Sequence, residues 1–124
     1  MNWLIFTSGV LAAITALVHI VAGGKQVARP LLGSQLDSVV KLTMYACWHL
    51  VSVSLVLSSA ALLACGAGLL TSPELVAFIC ASWLLFGAVF LVVTLVVAKP
   101  GGLFRFPQWT LLIPVGLLGL GGIV

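Results

Sequence analysis

Four apolar runs, each near the roughly 20 residues that a helix needs to cross a hydrocarbon core, occupy most of this 124-residue chain. The first extends from about Trp3 to Ala22 and stops at Gly23-Gly24. The second extends from about Leu42 to Ala64 and ends around Gly66 and Gly68. The third covers about Leu75 to Ala98 and stops at Lys99-Pro100-Gly101-Gly102, and the fourth and shortest covers about Trp109 to Val124. Only 6% of the residues are charged, five basic and two acidic. A small soluble domain must cover a large surface with polar side chains, and so few charges cannot do that. The runs therefore predict an all-α membrane fold in a single domain over residues 1–124, an antiparallel bundle of four transmembrane helices at about 3–22, 35–64, 74–98 and 109–124.

Local signals agree with the runs. Ser34-x-x-Asp37 has the form of a capping box that starts helix two ahead of its buried portion. Thr71-Ser72-Pro73-Glu74 combines cap residues, a first-turn proline and an acid at a helix N-terminus. The fourth run carries Pro114 and four glycines, which membrane helices tolerate when neighbours satisfy the freed backbone groups. Cys80, Gly87 and Thr94 recur at heptad spacing and predict a packing seam. Of the three cysteines, Cys47 and Cys65 share one helix about 27 Å apart, too far to pair; all three read as small packing residues. The first run has no Lys or Arg ahead of it, so it reads as a retained helix and not a secretory leader.

Charge placement predicts orientation. With four crossings, segments 23–41 and 99–108 share one side, and together they hold Lys25, Arg29, Lys41, Lys99 and Arg105. The short connection 65–74 has Glu74 and no Lys or Arg. Basic residues in short loops favour the cytoplasmic side, which places both termini on the non-cytoplasmic side. These cations are scattered singly between apolar runs and form no stripe, so nucleic acid is not an expected partner; the lipid bilayer is. Around Arg105, the stretch 103–109 mixes aromatics, a cation and an amide, as interfacial anchors do. Arg29, Arg105 and Trp109 are accordingly the candidates for contact with a lipid headgroup.

Ionisable groups inside a membrane are costly and often functional, which singles out His19 and His49. His19 lies four residues before Gly23, where helix one is expected to end, and His49 lies eight residues after Lys41. At 1.5 Å per residue the two sit roughly 6 Å and 12 Å below the same surface. Ser8, Ala12, Thr15, Ala16 and His19 share one small or polar face of helix one. Lys41, Tyr45, His49 and Ser52 form a stripe on helix two, and the two faces are expected to meet with Tyr45 and Trp48 beside the histidines.

Three readings of this cluster stand. The imidazoles can be structural, each satisfied by a hydroxyl or carbonyl. They can be ligands: His19 and His49 can bind a metal ion or flank a haem iron, although a closed zinc site takes four ligands. They can form a proton or anion relay with Lys41 and Tyr45. No paired-carboxylate site can form from one Asp and one Glu on opposite sides, and the Gly-x-Gly at Gly66 has no strand before it and no Walker lysine.

The pieces His19-x-x-x-Gly23-Gly24, Ala28-Arg29-Pro30-Leu31-Leu32, Lys41-x-Thr43-x-Tyr45-x-Cys47-Trp48-His49 and Phe106-Pro107-Gln108-Trp109 resemble those of an uncharacterised family of small bacterial four-helix integral membrane proteins. The resemblance spans most of the chain and implies the fold, with no activity or site residue to carry over. Small multidrug transporters and fluoride channels differ, lacking here an early membrane-embedded Glu and an Asn-containing filter. The expected function is a polar binding or proton-relay site around the two histidines in the cytoplasmic half of the membrane, and a homo-oligomer or larger membrane complex that could complete it is an open expectation. The alternatives are a non-catalytic interaction or assembly subunit of a larger membrane complex, and a membrane enzyme acting on a lipid or quinone.

Overall fold

A computed structural model describes residues 1–96 and 107–124. Among the described residues the chain forms four helices and no strands: α1 (Trp3–Leu32), α2 (Ser38–Ala67), α3 (Pro73–Val96) and α4 (Trp109–Gly121). The first three are long and apolar enough to cross a membrane. With 13 residues α4 is about 20 Å long, shorter than a hydrocarbon core of about 30 Å. The basic connection with Lys99 and Arg105, and the predicted end of the third helix, lie outside the described residues.

The largest departure from the sequence reading is at Gly23-Gly24. Helix one was expected to stop there, and α1 instead runs on to Leu32. It does so by changing register. Residues Trp3–Val18 are α-helical, His19–Ala28 are π-helical, and Arg29–Leu32 return to α. Arg29 donates its N–H to the Gly24 carbonyl, five residues back. Paired glycines weaken an α-helix, which is why they read as a stop. Here they mark a widening of the helix instead.

The remaining helix ends follow from named side chains. Asp37, not Ser34, caps α2 by accepting the Val39 N–H at 2.9 Å. The Ser34 hydroxyl turns back to the Leu31 carbonyl at 2.7 Å, so it closes α1 and cannot open α2. Gly68 ends α2 with φ of 82°, the left-handed conformation that favours glycine, and gives its N–H to Ala64 and Cys65. Ser72 accepts the Leu75 N–H at 3.2 Å and so caps α3, with Pro73 in the first position.

Packing is organised around α1, which lies against both α2 and α4, while α3 lies mainly against α4. The contacts are small and polar, as expected where lipid supplies no hydrophobic drive between helices. Ser8, Ala12, Thr15 and Ala16 are all buried on α1. The Ser8 hydroxyl donates to the Val115 carbonyl of α4 at 2.7 Å. A Cβ on Gly66 would collide with the Phe6 backbone, and one on Gly119 with the Cys80 sulfur, so these glycines set how closely the helices approach. Between α2 and α3 the main polar link is the Trp83 indole N–H donating to Ser58 Oγ at 3.1 Å.

One end of the molecule is tied by Asn2. Its side-chain amide donates to the Gly122 carbonyl at 2.6 Å, its backbone N–H to the Gly66 carbonyl at 2.8 Å, and its Oδ1 accepts the Ile5 N–H at 3.2 Å. The start of α1 and the ends of α2 and α4 are thereby joined. Thr71, Ser72 and Pro73, at the start of α3, line a shallow depression of about 400 Å³ with Asn2 and Gly122. The outward faces are apolar: Leu17, Leu57 and Leu85 are exposed, and Phe78 is 72% exposed. The predicted seam residues Cys80, Gly87 and Thr94 are all buried. All three cysteines are unpaired, with Cys65 and Cys80 buried and Cys47 exposed.

Candidate functional site

The candidate site lies where the π-helical segment of α1 faces the first half of α2. Each residue added to a helical turn widens it, and π-helical segments are uncommon and often accompany functional sites. Here the widened turn carries Gly23 and Gly24 against Trp48: a Cβ on either would lie 3.8 Å from the six-membered ring of the indole. The other side of the contact is His19, whose imidazole stacks on Trp48 with ring centroids 4.6 Å apart and planes at 19°. The indole is thus held by backbone and by a parallel ring, both supplied by α1.

Trp48 also touches His49 edge to face, at 5.1 Å and 86°. Tyr45 meets His49 in the same manner, at 4.5 Å and 88°. One indole therefore contacts both imidazoles, and no ring contact joins His19 to His49 directly. The reason is the register of α2. Its contact stripe toward α1 runs through Trp48, Ser52, Leu55, Ser59 and Leu62, of which the last four are buried. His49 is one residue, about 100° of rotation, away from that stripe and is exposed. His19, Tyr45, Trp48 and Lys41 are half-buried. Lys41 lies one turn before Tyr45 on α2.

Beside this cluster a groove of about 380 Å³ opens between the helices. Tyr45 and Trp48 form its wall on α2. Gly24, Lys25, Ala28 and Arg29 line it along α1, and Ile20, Val21 and Leu32 complete the apolar part. Charge placement in the sequence marks Arg29 for a lipid headgroup and does not join it to Lys25 or Trp48. The signal was a pair of cations four residues apart, which share a face only if the helix continues through Gly23-Gly24.

Polar satisfaction is uneven. The Nε2 atom of His19 is buried and has no hydrogen-bond partner. A buried polar group usually has one, so this atom calls for an explanation. Among the described residues, no three His, Cys, Asp or Glu side chains group so as to hold a metal ion. His19 and His49 thus bring two imidazoles to one indole and no further ligand. Of the headgroup candidates, Arg29 lines the groove, Trp109 opens α4, and Arg105 lies outside the described residues. Compared with family models, with curated proteins and with solved structures, the chain matches none.

Proposed function

We propose that this chain is a small integral membrane protein of the bacterial inner membrane, and that it binds an amphiphile in the groove between the π-helical part of α1 and α2. The observation that carries this reading is the make-up of the groove: an aromatic wall and an apolar floor, with polar groups along one side. Ligand sites of this kind combine apolar lining with a few placed polar groups. His19 stacks on Trp48 from outside the groove lining and so braces the indole that forms the aromatic wall.

The four spans form an antiparallel bundle in this reading. Asn2 supports it, since it holds the start of α1 to the ends of α2 and α4. The cations Lys25, Arg29 and Lys41, with Lys99 and Arg105, support a groove end in the cytoplasmic half and both termini on the far side. Counted from Trp3, Lys25 lies roughly 30 Å along α1, about one hydrocarbon thickness, so the groove opens at headgroup depth. Binding suits the cluster better than proton relay, because His19, Tyr45, Trp48 and His49 meet through ring faces and edges. It also suits it better than a structural lock, which would satisfy Nε2.

The test is native mass spectrometry of the protein released from defined bilayers. Gly24→Leu fills the groove, because the nearest neighbour of a Cβ there is the Trp48 ring at 3.8 Å. The expected result is an amphiphile adduct on the original chain and none on the variant. An adduct that persists unchanged in Gly24→Leu, with helix content intact, rejects the groove as the site. Cysteine-accessibility labelling at positions 35 and 70 tests the orientation, with label from the cytoplasmic face expected only at 35.

A further inference from the structure

We infer that the ligand is an anionic membrane lipid, held by its headgroup phosphate between Lys25 and Arg29 with its acyl chain along Ile20 and Val21; this rests on the groove being the binding site. Every polar side chain lining the groove is a hydrogen-bond donor: the Lys25 ammonium, the Arg29 guanidinium, the Trp48 indole N–H and the Tyr45 hydroxyl. Tyr45 alone can also accept. No side-chain hydrogen bond within the described residues engages any of the four. A wall of donors without a carboxylate selects an anion.

The acids of the chain are committed elsewhere. Asp37 accepts the Val39 N–H at the start of α2, and Glu74 pairs with Ser72 at the start of α3. Neither lines the groove. The two cations are therefore uncompensated, and the π-register brings them to the same opening. In a helix whose bonds close five residues back, positions 25 and 29 lie about one turn apart on one side. Arg gives phosphate a planar fork and Lys a mobile point charge, a pairing suited to a tetrahedral anion. Below them the lining turns apolar, which fits a chain that continues from the headgroup into the bilayer and does not fit a free anion.

The decisive measurement is native mass spectrometry from nanodiscs of phosphatidylglycerol and phosphatidylcholine mixed in equal parts. The original chain should retain phosphatidylglycerol over phosphatidylcholine by roughly 30-fold, taking about fivefold for each cation near the surface. The double variant Lys25→Gln/Arg29→Gln should reduce that ratio to about 1 while still binding lipid. Both positions are exposed, so the variant is expected to fold, and circular dichroism checks it. A ratio unchanged by the double variant overturns the phosphate assignment alone, provided Gly24→Leu still removes the adduct. If Gly24→Leu leaves the adduct in place, the groove reading fails and takes this inference with it. An arm with inorganic phosphate in lipid-free detergent separates the sources: phosphate retained there, with no phosphatidylglycerol adduct from nanodiscs, overturns the lipid as ligand.

Discussion

The α1–α2 interface has two halves built on opposite plans. From Ile5 to Ala16, α1 presents small residues that are almost all buried, and α2 answers with Leu55, Ser59, Leu62 and Gly66. Backbone meets backbone there, at the tie made by Asn2. From His19 to Ala28, α1 is wider, α2 answers with Tyr45 and Trp48, and the helices stand far enough apart to leave a groove. The first half secures the fold by leaving no space. The second keeps space open and fills part of it with stacked rings, which is how a scaffold and a site can share one helix pair.

Substitutions at the two halves should therefore behave differently, and the largest contrast is between two glycines. Gly66→Ala drives a Cβ into the Phe6 backbone and should cost about 3 kcal/mol in reversible unfolding from detergent micelles. A cost under about 1 kcal/mol would show that the closed half can relax, and the contrast would collapse. Next, Trp48→Ala removes the ring contacts with His19 and His49 and should cost about 1–2 kcal/mol. Hydrogen exchange should then rise in His19–Leu32 while Ile5–Ala16 stays protected; equal loss in both segments would mean that the halves unfold as one. Ser8→Ala deletes the hydrogen bond to Val115 and should cost about 0.6 kcal/mol, the usual size for such bonds in membranes. Smallest of all, Gly24→Ala places a Cβ at ordinary contact distance from Trp48 and should change stability by less than about 0.5 kcal/mol.

The same division explains what could be read from the sequence. The closed half, the end of α2 and the start of α3 were legible because they depend on local rules. Ser72-Pro73 and Gly68 carry their own cap chemistry, and Cys80, Gly87 and Thr94 announce a seam by spacing alone. Three long apolar helices were legible from hydropathy, whereas α4 is shorter than a full span. The open half was not legible because tertiary contact reverses the local rule. Gly23-Gly24 signals an end in isolation, and the Trp48 ring packed against it accompanies a continued helix. His49 drew attention as an ionisable group, yet a single residue of helical rotation hands the contact with His19 to Trp48. Periodicity identifies a helix well, but it fixes the facing residue only when the register of both partners is known.

The tie at Asn2 also carries a consequence for the order of assembly. Its amide and its N–H reach partners at Gly122 and Gly66, and the contact with Gly122 closes a loop of 120 residues. A helix pair of α1 and α2 can dock as soon as α2 is made, with the Asn2 N–H engaged and its side-chain amide still waiting. Only the arrival of α4 supplies the last acceptor. The closed end is therefore a late event in synthesis, and the groove end, whose contacts span only α1 and α2, can form its rings and meet lipid while the rest of the chain is still emerging.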